Sequence, residues 1–535
     1  MWQQNYTPVA NSLPLSTLVA AIPIFVLLYL LGVRRVPAWK SALAGLVTAI
    51  LVALFAYGMP ANLLASATVY GAAFGLWPIG WVVFAAVLLY RVTLESGKFE
   101  VLKDSIAHLA DDRRLQVLLI AFAFGAFIEG AAGFGTPVAV AATMLAGLGF
   151  SPFYAAAICL LANTAPVAFG SIAIPIITLA GTTGLPLDRL SAGVGRMCAP
   201  VSLFIPAYLI FVMSGWKALR AVLPAAAVCG IVFGGLQFFV SNFIGPQLTD
   251  ILASLCAIGA LVVLFQIWRP KDVVRGVRGG LPHSGSQLLK AWGPYILLVI
   301  CVLIWGYAPV SAWLVKKNIV FPWPGLHNIV QRVPPVVAKP SPYAATFNFS
   351  WLSASGTAVL LAAILGSFVA GLSPARFARV IGHTAKQLAL AELTLAAVLG
   401  IAYVMNYSGA TATLGLAFAA TGVTFPFFSA WLGWLGVFLT GSDTSANALF
   451  GTLQVVTATK LSMNQVLMAS VNSAGGVMGK MISLTSVAVA SAATGMKRED
   501  ETLLFRFTLK HSLLLTSAIG VLALFYAYVA PFWAP

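Results

Sequence analysis

Long uninterrupted apolar segments constrain the fold of this chain more than any other feature. Such runs occur at 15–33, 41–59, 222–240, 252–268 and 295–313, and each is close to the ~20 residues that a helix needs to cross a bilayer. The 535 residues are 60% hydrophobic and only 8% charged. Alternation with a period of two residues is absent, which excludes a transmembrane β-barrel. The sequence therefore predicts an all-α polytopic protein with the lipid bilayer as partner and about 12 to 14 transmembrane segments.

The basic residues indicate which connections face the cytoplasm. Most of the 30 Lys and Arg residues lie in five polar connections, at 34–40, 91–114, 269–290, 376–386 and 497–510. Under the positive-inside rule these connections are cytoplasmic, and both termini are then outside. The same rule explains the net charge of +16 without a nucleic-acid partner. No basic segment precedes the run 15–33 and no clear cleavage site follows it, so we predict a retained helix.

Two regions are interrupted by Gly, Pro, Ser, Thr and Asn at membrane depth, where an exposed backbone needs a protein-lined cavity. They divide the chain into N-terminal helices (1–114), a first broken region (115–197), connecting helices (198–387) with an external cap rich in proline and aromatics (about 314–350), a second broken region (388–496), and a cytoplasmic loop with the last helix (497–535). Broken segments in both halves of a chain indicate the binding site of a secondary transporter.

The two broken regions resemble one another. FIEGAAGFGTP, GFSPFYAA and LANTAPVAFGS follow in order in the first, and MNYSGATATLG, TFPFFSA and TGSDTSANALFG follow in the second. We interpret this as an internal repeat of broken or re-entrant helices. Close helix packing is the alternative, since small residues also let helices approach one another. That alternative explains the glycines but not the added acid, amide and hydroxyl groups.

Three acidic side chains fall at membrane depth, namely Glu129, Glu392 and Asp443, whereas the other acids lie in predicted loops or, like Asp250, near an external helix end. An ionisable group at the bilayer centre costs about 2.5 to 3.5 kcal/mol even on the mildest scale, so each is a candidate for proton coupling. Alternatives stay open for all three. Glu129 can cap exposed amides, Asp443 can be a helix N-cap, and Glu392 can reach the membrane interface.

Polar groups beside the breaks are candidates for holding an anion. Lys480 lies in the glycine-rich segment SAGGVMGKMIS and is a substrate ligand, a counter-ion or an interfacial lysine. Helix N-termini at the breaks add unpaired N–H groups and partial positive charge. The predicted substrate-binding residues are Gly133, Asn163, Thr164, Ser408, Thr411, Ser442, Thr444, Asn472 and Lys480.

Signatures of enzymes and metal sites are missing from the sequence. There is no Walker loop, no zinc-binding H-E-x-x-H and no nucleophile elbow in a credible setting. The five cysteines lie in apolar runs without close spacing, which favours packing over disulfides or metal ligation. The five histidines lie in loops or at helix ends. We therefore expect neither catalysis, nor a cofactor, nor a bound metal.

The longest motifs carry a resemblance to a known family. EGAAGFGTP, LANTAPVAFG, NYSGAT, FPFFSAWLGWLGVFLTGSDTSANALF and GGVMGKMIS resemble the motifs of bacterial lactate permeases through nearly the whole chain. The resemblance implies a proton-coupled symporter of L-lactate, and often of D-lactate and glycolate, in the inner membrane. It also implies the inverted repeats and re-entrant hairpins of the ion transporter superfamily, and a homodimer with elevator-type movement.

One position departs from the family pattern. Leu484 and Thr485 follow GKMIS, where the resemblance leads us to expect Pro-Gln. From the residues alone, coupling to Na⁺ instead of H⁺, transport of another small carboxylate, and an anion channel stay open as alternatives.

Overall fold

The computed structural model describes residues 1–133, 135–274, 276 and 281–535. Within these residues, ten helices are long and apolar enough to cross a membrane, and the number is twelve if each of two bent helix pairs is one span. The predicted all-α polytopic class is confirmed, and the larger count meets the lower end of the predicted range. Arg275 and Arg278, which belong to the predicted cytoplasmic connections, lie outside the described residues.

The first four N-terminal helices are apolar and have one interruption, and the fifth is shorter and carries charged residues. They are α1 (Leu13–Gly32), α2 (Ala38–Phe55), α3 (Ala61–Phe74), α4 (Trp81–Glu95) and α5 (Lys98–Ala107). A π-helical segment, Gly75–Gly80, joins α3 to α4, and Trp77 inside it leaves the helical conformation just before Pro78. Proline removes a backbone donor and clashes with the preceding turn, which explains the interruption.

The first broken region consists of short helices. These are α6 (Arg113–Gln116), a π-helical segment (Val117–Phe124), α7 (Gly125–Ala131), α8 (Thr136–Gly147), α9 (Pro152–Ala162), a 3₁₀ turn (Val167–Phe169) and α10 (Gly170–Thr183). Most of the side chains in this region are buried. The region therefore lies in the interior of the protein and not at its lipid-facing surface.

Long helices and a small cap connect the two broken regions. The helices are α11 (Leu187–Phe243), which is interrupted at Gly215 and Val222, α12 (Thr249–Ile267), α13 (Gly285–Gly306), α14 (Ala308–Val315) and α15 (Ser355–Val369). In the segment predicted as a cap, strands β2 (Ile319–Pro322) and β5 (Thr346–Phe349) pair antiparallel. Strand β3 (Val330–Arg332) pairs antiparallel with β4 (Ser341–Pro342) and parallel with β1 (Trp2–Gln3). The N-terminus thus lies on the cap.

The second broken region resembles the first but is preceded by a longer helix. Its elements are α16 (Pro374–Ser408), α17 (Ala410–Phe418), a 3₁₀ turn (Ala419–Thr424), α18 (Phe425–Thr440), α19 (Asp443–Lys460), α20 (Gln465–Gly479), a 3₁₀ turn (Lys480–Ile482) and α21 (Leu484–Thr494). The chain ends with α22 (Arg498–Leu524), a π-helical segment (Phe525–Val529) and a 3₁₀ turn (Pro531–Trp533).

Glycines bring α18 and α20 into close contact. A Cβ atom at Gly433 of α18 would lie 1.8 Å from the carbonyl oxygen of Asn472, and one at Gly475 of α20 would lie 2.2 Å from that of Ala430. Helices that pack inside a membrane gain little from the hydrophobic effect, so close van der Waals contact of small residues holds them together. These glycines fix α20, and with it the residues that follow, against the second hairpin.

Ion pairs join several of the predicted cytoplasmic connections. Arg114 is 2% exposed and contacts Asp112 at 2.7 Å and Asp272 at 3.4 Å. Arg376 contacts Glu95 at 3.2 Å. The connections 91–114, 269–290 and 376–386 therefore meet at one face, as their shared charge predicts.

Candidate functional site

Each broken region folds into a helical hairpin followed by a bent helix pair. In the first region, α8 packs back against α7 and the π-helical segment before it, and α9 and α10 meet at a bend of 66°. In the second region, α18 and α19 form the hairpin, and α20 and α21 meet at a bend of 41°. The two regions repeat the same order of elements.

The repeat aligns its motifs differently from the prediction. LANTAPVAFGS was expected to correspond to TGSDTSANALFG, but the first lies at the bend after α9 and the second begins at the hairpin turn between α18 and α19. By position, GSDTS corresponds to the EGAAGFGTP turn and GKMIS to ANTAP. Residue types did not distinguish hairpin turns from bends between helices, because small and polar residues occur at both.

Left-handed backbone conformations shape the first hairpin turn and the bend beside it. Gly133 and Gly135 have φ angles of +59° and +78°, and Ser171 and Ile172 have +46° and +60°. Positive φ is uncommon for any residue with a side chain and unfavourable for a β-branched one. The Ser171 hydroxyl donates a hydrogen bond to the carbonyl oxygen of Ala132 at 2.9 Å, which ties the bend to the turn. Strain of this kind concentrates at functional sites.

A cavity of about 200 Å³ lies where the two hairpin turns and the two bends meet. Its polar lining consists of Glu129, Ser171, Ser442, Asp443, Thr444, Lys480, Thr485 and Ser486. The remaining wall is formed by Gly135, Val167, Gly170, Ile174, Pro175, Gly441 and Val489. A concave wall that combines apolar surface with convergent polar groups is typical of a site for a small ligand.

Glu129 places a carboxyl group in the wall of this cavity. The residue is 4% exposed, and it fits only because position 170 is a glycine, where a Cβ atom would lie 2.7 Å from Oε1. Oε2 has no hydrogen-bond partner among the described residues. Lys480 is the cation that acts on Glu129 through space. Burial without a partner disfavours the charged form of a carboxyl group, so Glu129 is suited to hold a proton.

Asp443 is also buried, at 2% exposure, but neutral donors hold it. Its Oδ2 accepts hydrogen bonds from Ser473 Oγ at 2.6 Å and from Asn447 Nδ2 at 3.3 Å. Asn447 also donates to the carbonyl oxygen of Pro175 at 3.1 Å and accepts from Asn472 at 2.9 Å. This network joins the second hairpin to both bent helix pairs and orients the Asp443 carboxyl group.

Lys480 is the one cationic side chain that lines the cavity among the residues described. Its Nζ donates a hydrogen bond to the carbonyl oxygen of Gly441, at 2.6 Å, in the turn of the second hairpin. Its charge acts on both carboxyl groups of the wall, those of Glu129 and Asp443. An ammonium group held by one neutral acceptor has donors left for an anion.

Two helix N-termini add positive potential to the cavity. Ser442 is the N-cap of α19 and accepts from the N–H of Ser445 at 3.2 Å, so Asp443 lies in the first turn and is not the cap. Ser483 caps α21 in the same way, accepting from the N–H of Ser486 at 3.2 Å. Because the first turns of both helices line the cavity, their N–H groups favour a negatively charged ligand there.

Four of the predicted binding residues lie one layer behind the cavity. Gly133 allows the Ser171 hydroxyl to approach, since a Cβ atom would lie 2.0 Å from it. Asn163 lies beside Glu129, yet neither polar atom of its side chain has a hydrogen-bond partner in the described part of the chain. Thr164 donates to the carbonyl of its own helix, and Asn472 belongs to the Asp443 network.

Three other predicted residues lie elsewhere. Ser408 and Thr411 flank Gly409 at the junction of α16 and α17, where Gly409 packs against the ring of Tyr6. Glu392 lies against Gly80, where a Cβ atom would be 2.1 Å from Oε2. The structure does not bring these three side chains into the cavity lining, because α16 packs on the N-terminal helices α2 and α3.

Sequence reasoning missed several residues of the site. Ser171, Thr485 and Ser486 line the cavity but are ordinary hydroxyl residues in apolar sequence. Asp250 was expected near an external helix end, but it is 1% exposed and packs against Gly130, next to Glu129. Only the departure at Thr485 gave a signal in the sequence. Within the described residues, no group of three or more His, Cys, Asp or Glu could hold a metal ion.

Comparison with known proteins gives consistent matches along the whole chain. The family model described as L-lactate permease matches residues 16–530. Glycolate permease GlcA of Escherichia coli (strain K12) is 45% identical over 553 residues, covering 99% of this chain and 98% of that protein. The L-lactate permease of Bacillus subtilis (strain 168) is 43% identical over 565 residues, covering 100% of each. Among solved structures, MtrF of Neisseria gonorrhoeae covers 94% of this chain and 97% of its own, with 13% identity and a TM-score of 0.49.

Proposed function

The chain belongs to the L-lactate permease family, and from this premise we propose that it is a proton-coupled symporter of L-lactate, D-lactate and glycolate in the bacterial inner membrane. The observation that carries the proposal is one cavity that combines an unpartnered carboxyl group, on Glu129, with an ammonium group, on Lys480, and two helix N-termini. The cavity thus offers a place for an anion next to a place for a proton.

The substrate carboxylate binds between Lys480 and the N-terminal N–H groups of α19 and α21. Hydrogen bonds to a charged group are worth about 1.5 to 3 kcal/mol each, which makes this the main source of affinity. The 2-hydroxyl group that lactate and glycolate share forms hydrogen bonds with hydroxyl groups of the cavity wall. These belong to Thr444, Thr485 and Ser486, which line the cavity. Gly133, Asn163, Thr164 and Asn472 support these groups from behind.

Charge balance links the anion to a proton. Two carboxyl groups and one ammonium group line the cavity within the described residues, so a bound monocarboxylate would leave an excess of negative charge in a medium of low dielectric constant. Such an excess is strongly unfavourable. A proton on Glu129, with Asp443 as its partner or second site, removes part of it. One lactate and one proton then move together, and the transport is electroneutral.

The movement that exposes the site to each side follows from the repeated architecture. Two hairpins and two bent pairs enclose the cavity, as in transporters that alternate access around a site between repeats. The homodimer and the elevator-type movement implied by the family resemblance belong to the same proposal. Single-molecule photobleaching of labelled protein in liposomes tests the dimer, and a single bleaching step for every particle would exclude it.

Uptake of labelled L-lactate into proteoliposomes tests the coupling. We expect accumulation under an inward pH gradient without Na⁺, insensitivity to an imposed membrane potential, and competition by D-lactate and glycolate. Uptake that follows a Na⁺ gradient and ignores pH would overturn proton coupling. A channel would not accumulate labelled lactate when the liposomes are preloaded with unlabelled lactate, so counterflow separates a carrier from that alternative.

A further inference from the structure

Asp250 is buried and packs against Gly130, the residue after Glu129. It belongs to the first turn of α12 and is 1% exposed. The absence of a side chain at Gly130 lets it approach, because a Cβ atom there would lie 3.3 Å from Cβ of Asp250 and 3.1 Å from the backbone nitrogen of Ile251. Glu129 is the residue before Gly130, and the two carboxyl groups interact electrostatically.

One amide holds Asp250 and links it to the first bend. Gln237 Nε2 donates to Asp250 Oδ1 at 3.0 Å and to the carbonyl oxygen of Ala165 at 3.0 Å. Ala165 lies two residues after Asn163, which is beside Glu129. Gln237 therefore connects Asp250 to the segment after α9 in which Asn163 lies.

Several polar atoms of these residues are left without partners. Glu129 Oε2, both polar atoms of Asn163, Gln237 Oε1 and Asp250 Oδ2 are buried and make no hydrogen bond with any described residue. All four residues are at most 4% exposed. Unsatisfied buried polar atoms cost about 1 to 3 kcal/mol each, so a cluster of them in a native fold calls for a function. Polar, unsatisfied sites of this kind bind water that can carry protons.

Asp250 has no basic partner among the described residues. In the described part of the chain, no Lys, Arg or His forms an ion pair with it. The helices that pack on α12 present two titratable groups to it, Glu129 from α7 and the thiol of Cys198 from α11, while the segment Val117–Phe124 presents none. Lys480 acts on Glu129 and Asp443 instead.

We infer that Asp250 is a second proton-carrying residue of the transport cycle, which takes up a proton from the face that carries the cap and both termini and passes it to Glu129. In this step an O–H bond breaks at Asp250 Oδ2 and one forms at Glu129 Oε2, and the negative charge moves from Glu129 to Asp250. Asp250 is placed for this exchange because it lies at the start of α12, just after the connection that contains the exposed residue Ile244. The inference rests on the proposed proton coupling.

The test compares Asp250→Asn with Asp188→Asn in proteoliposomes. Asp188 is an exposed acid in the first turn of α11 and is the matched control. Asparagine at 250 keeps an oxygen for Gln237 but cannot carry a proton. We expect Asp250→Asn to lose pH-driven accumulation by about tenfold or more, as for loss of a proton-transfer group, while lactate counterflow stays within about twofold of wild type. Asp188→Asn should match wild type in both assays.

The outcomes separate this inference from the proposed function. If the wild-type protein shows no pH-driven uptake, the proposed function fails regardless of Asp250. If the wild type is driven by pH and Asp250→Asn accumulates lactate normally, Asp250 is not on the proton path. Loss of counterflow as well, without rescue by Asp250→Glu, would show a structural role and overturn the inference.

If Asp250→Asn does not reach the membrane, Asp250→Glu is tested in its place. It retains a carboxyl group in a different setting. Retained pH-driven uptake with a displaced pH midpoint supports the inference, and an unchanged pH profile contradicts it.

Discussion

The two halves of the protein each bury one carboxyl group in the same cavity, but they treat it differently. Each carboxyl group has one oxygen without a partner among the described residues, Glu129 Oε2 and Asp443 Oδ1. Only Asp443 also has an oxygen that accepts hydrogen bonds from Ser473 and Asn447. Neutral donors stabilise the charged form of a carboxylate, and their absence favours the protonated form. A repeated architecture thus supplies one carboxyl group that neutral donors orient and one that they do not, and the second is the group proposed to exchange its proton.

Replacement of Glu129 is expected to have the largest effect. Glu129→Gln should reduce pH-driven lactate accumulation by about 100-fold, because the proposed proton carrier is lost. Asp443→Asn is the matched change in the other half and should reduce accumulation by about tenfold or less. The measurement is uptake into proteoliposomes under a pH gradient. Equal losses in the two variants would remove the distinction between the halves.

Lys480→Ala should raise the KM for lactate by about 10- to 100-fold, the equivalent of one lost charge-assisted hydrogen bond. Lys460→Ala is the control, because Lys460 lies at the end of α19, outside the cavity lining. Initial rates of uptake over a range of lactate concentrations give the KM. An unchanged KM in Lys480→Ala would leave its hydrogen bond to Gly441 as a purely structural contact.

The amides of the two halves should differ in their effect on stability. Asn447→Ala breaks the Asp443 network and should lower the free energy of unfolding by about 1 to 3 kcal/mol. Asn163→Ala removes an amide without hydrogen bonds in the described structure and should change stability by less than about 1 kcal/mol. Thermal unfolding of the detergent-purified variants measures both. A larger loss in Asn163→Ala would contradict the difference in hydrogen bonding.

Glycine replacements test whether transport depends on the backbone conformation of the first hairpin turn. Gly133→Ala forces both a positive φ and a clash with the Ser171 hydroxyl, whereas Gly184→Ala at the end of α10 has a positive φ but open space. The left-handed conformation costs about 1 to 2 kcal/mol for alanine in either place. Only Gly133→Ala should also impair lactate uptake. Equal activity of the two variants would show that the first turn tolerates displacement.

The smallest effect is expected far from the cavity, at Asp272. The hydrogen bond from Arg114 holds the pKa of Asp272 below its ordinary value of 3.8. The ion pair therefore stabilises the fold at pH values above that ordinary value, and its contribution disappears only as the pH falls through the lowered pKa. Asp272→Asn should leave the pH profile of uptake between about pH 5 and 8 unchanged. A shifted pH profile of uptake would show that groups outside the proposed site contribute to the pH dependence.

Sequence reasoning identified the residues whose chemistry is unusual in a membrane. Glu129, Asp443 and Lys480 stood out because charged groups are rare in apolar segments, and all three line one cavity. The same reasoning selected Glu392, which lies against Gly80 instead. Rarity measures the cost of burial but gives no information about which helices are neighbours, so the role of Glu392 in proton coupling stays a prediction.

Asp250 is the opposite case, an acid whose burial the sequence did not indicate. Its position at the start of an apolar helix is where an acid normally meets the membrane surface, so the sequence suggested no role. The structure buries this turn of α12 under α7 through the glycine at position 130. Burial of a helix end depends on the packing of distant segments, which hydropathy along the chain does not report.

The sequence by itself determined the membrane class, the family, the two broken regions and most of the charged groups of the site, because these follow from composition and from motifs read locally. Only the tertiary structure decided which breaks are hairpin turns and which are bends, that four of them enclose one cavity, and that Glu129 lacks the partners Asp443 has. Hydrogen bonds and charge interactions depend on distances of a few ångströms between residues hundreds of positions apart, and those distances exist only in the folded chain.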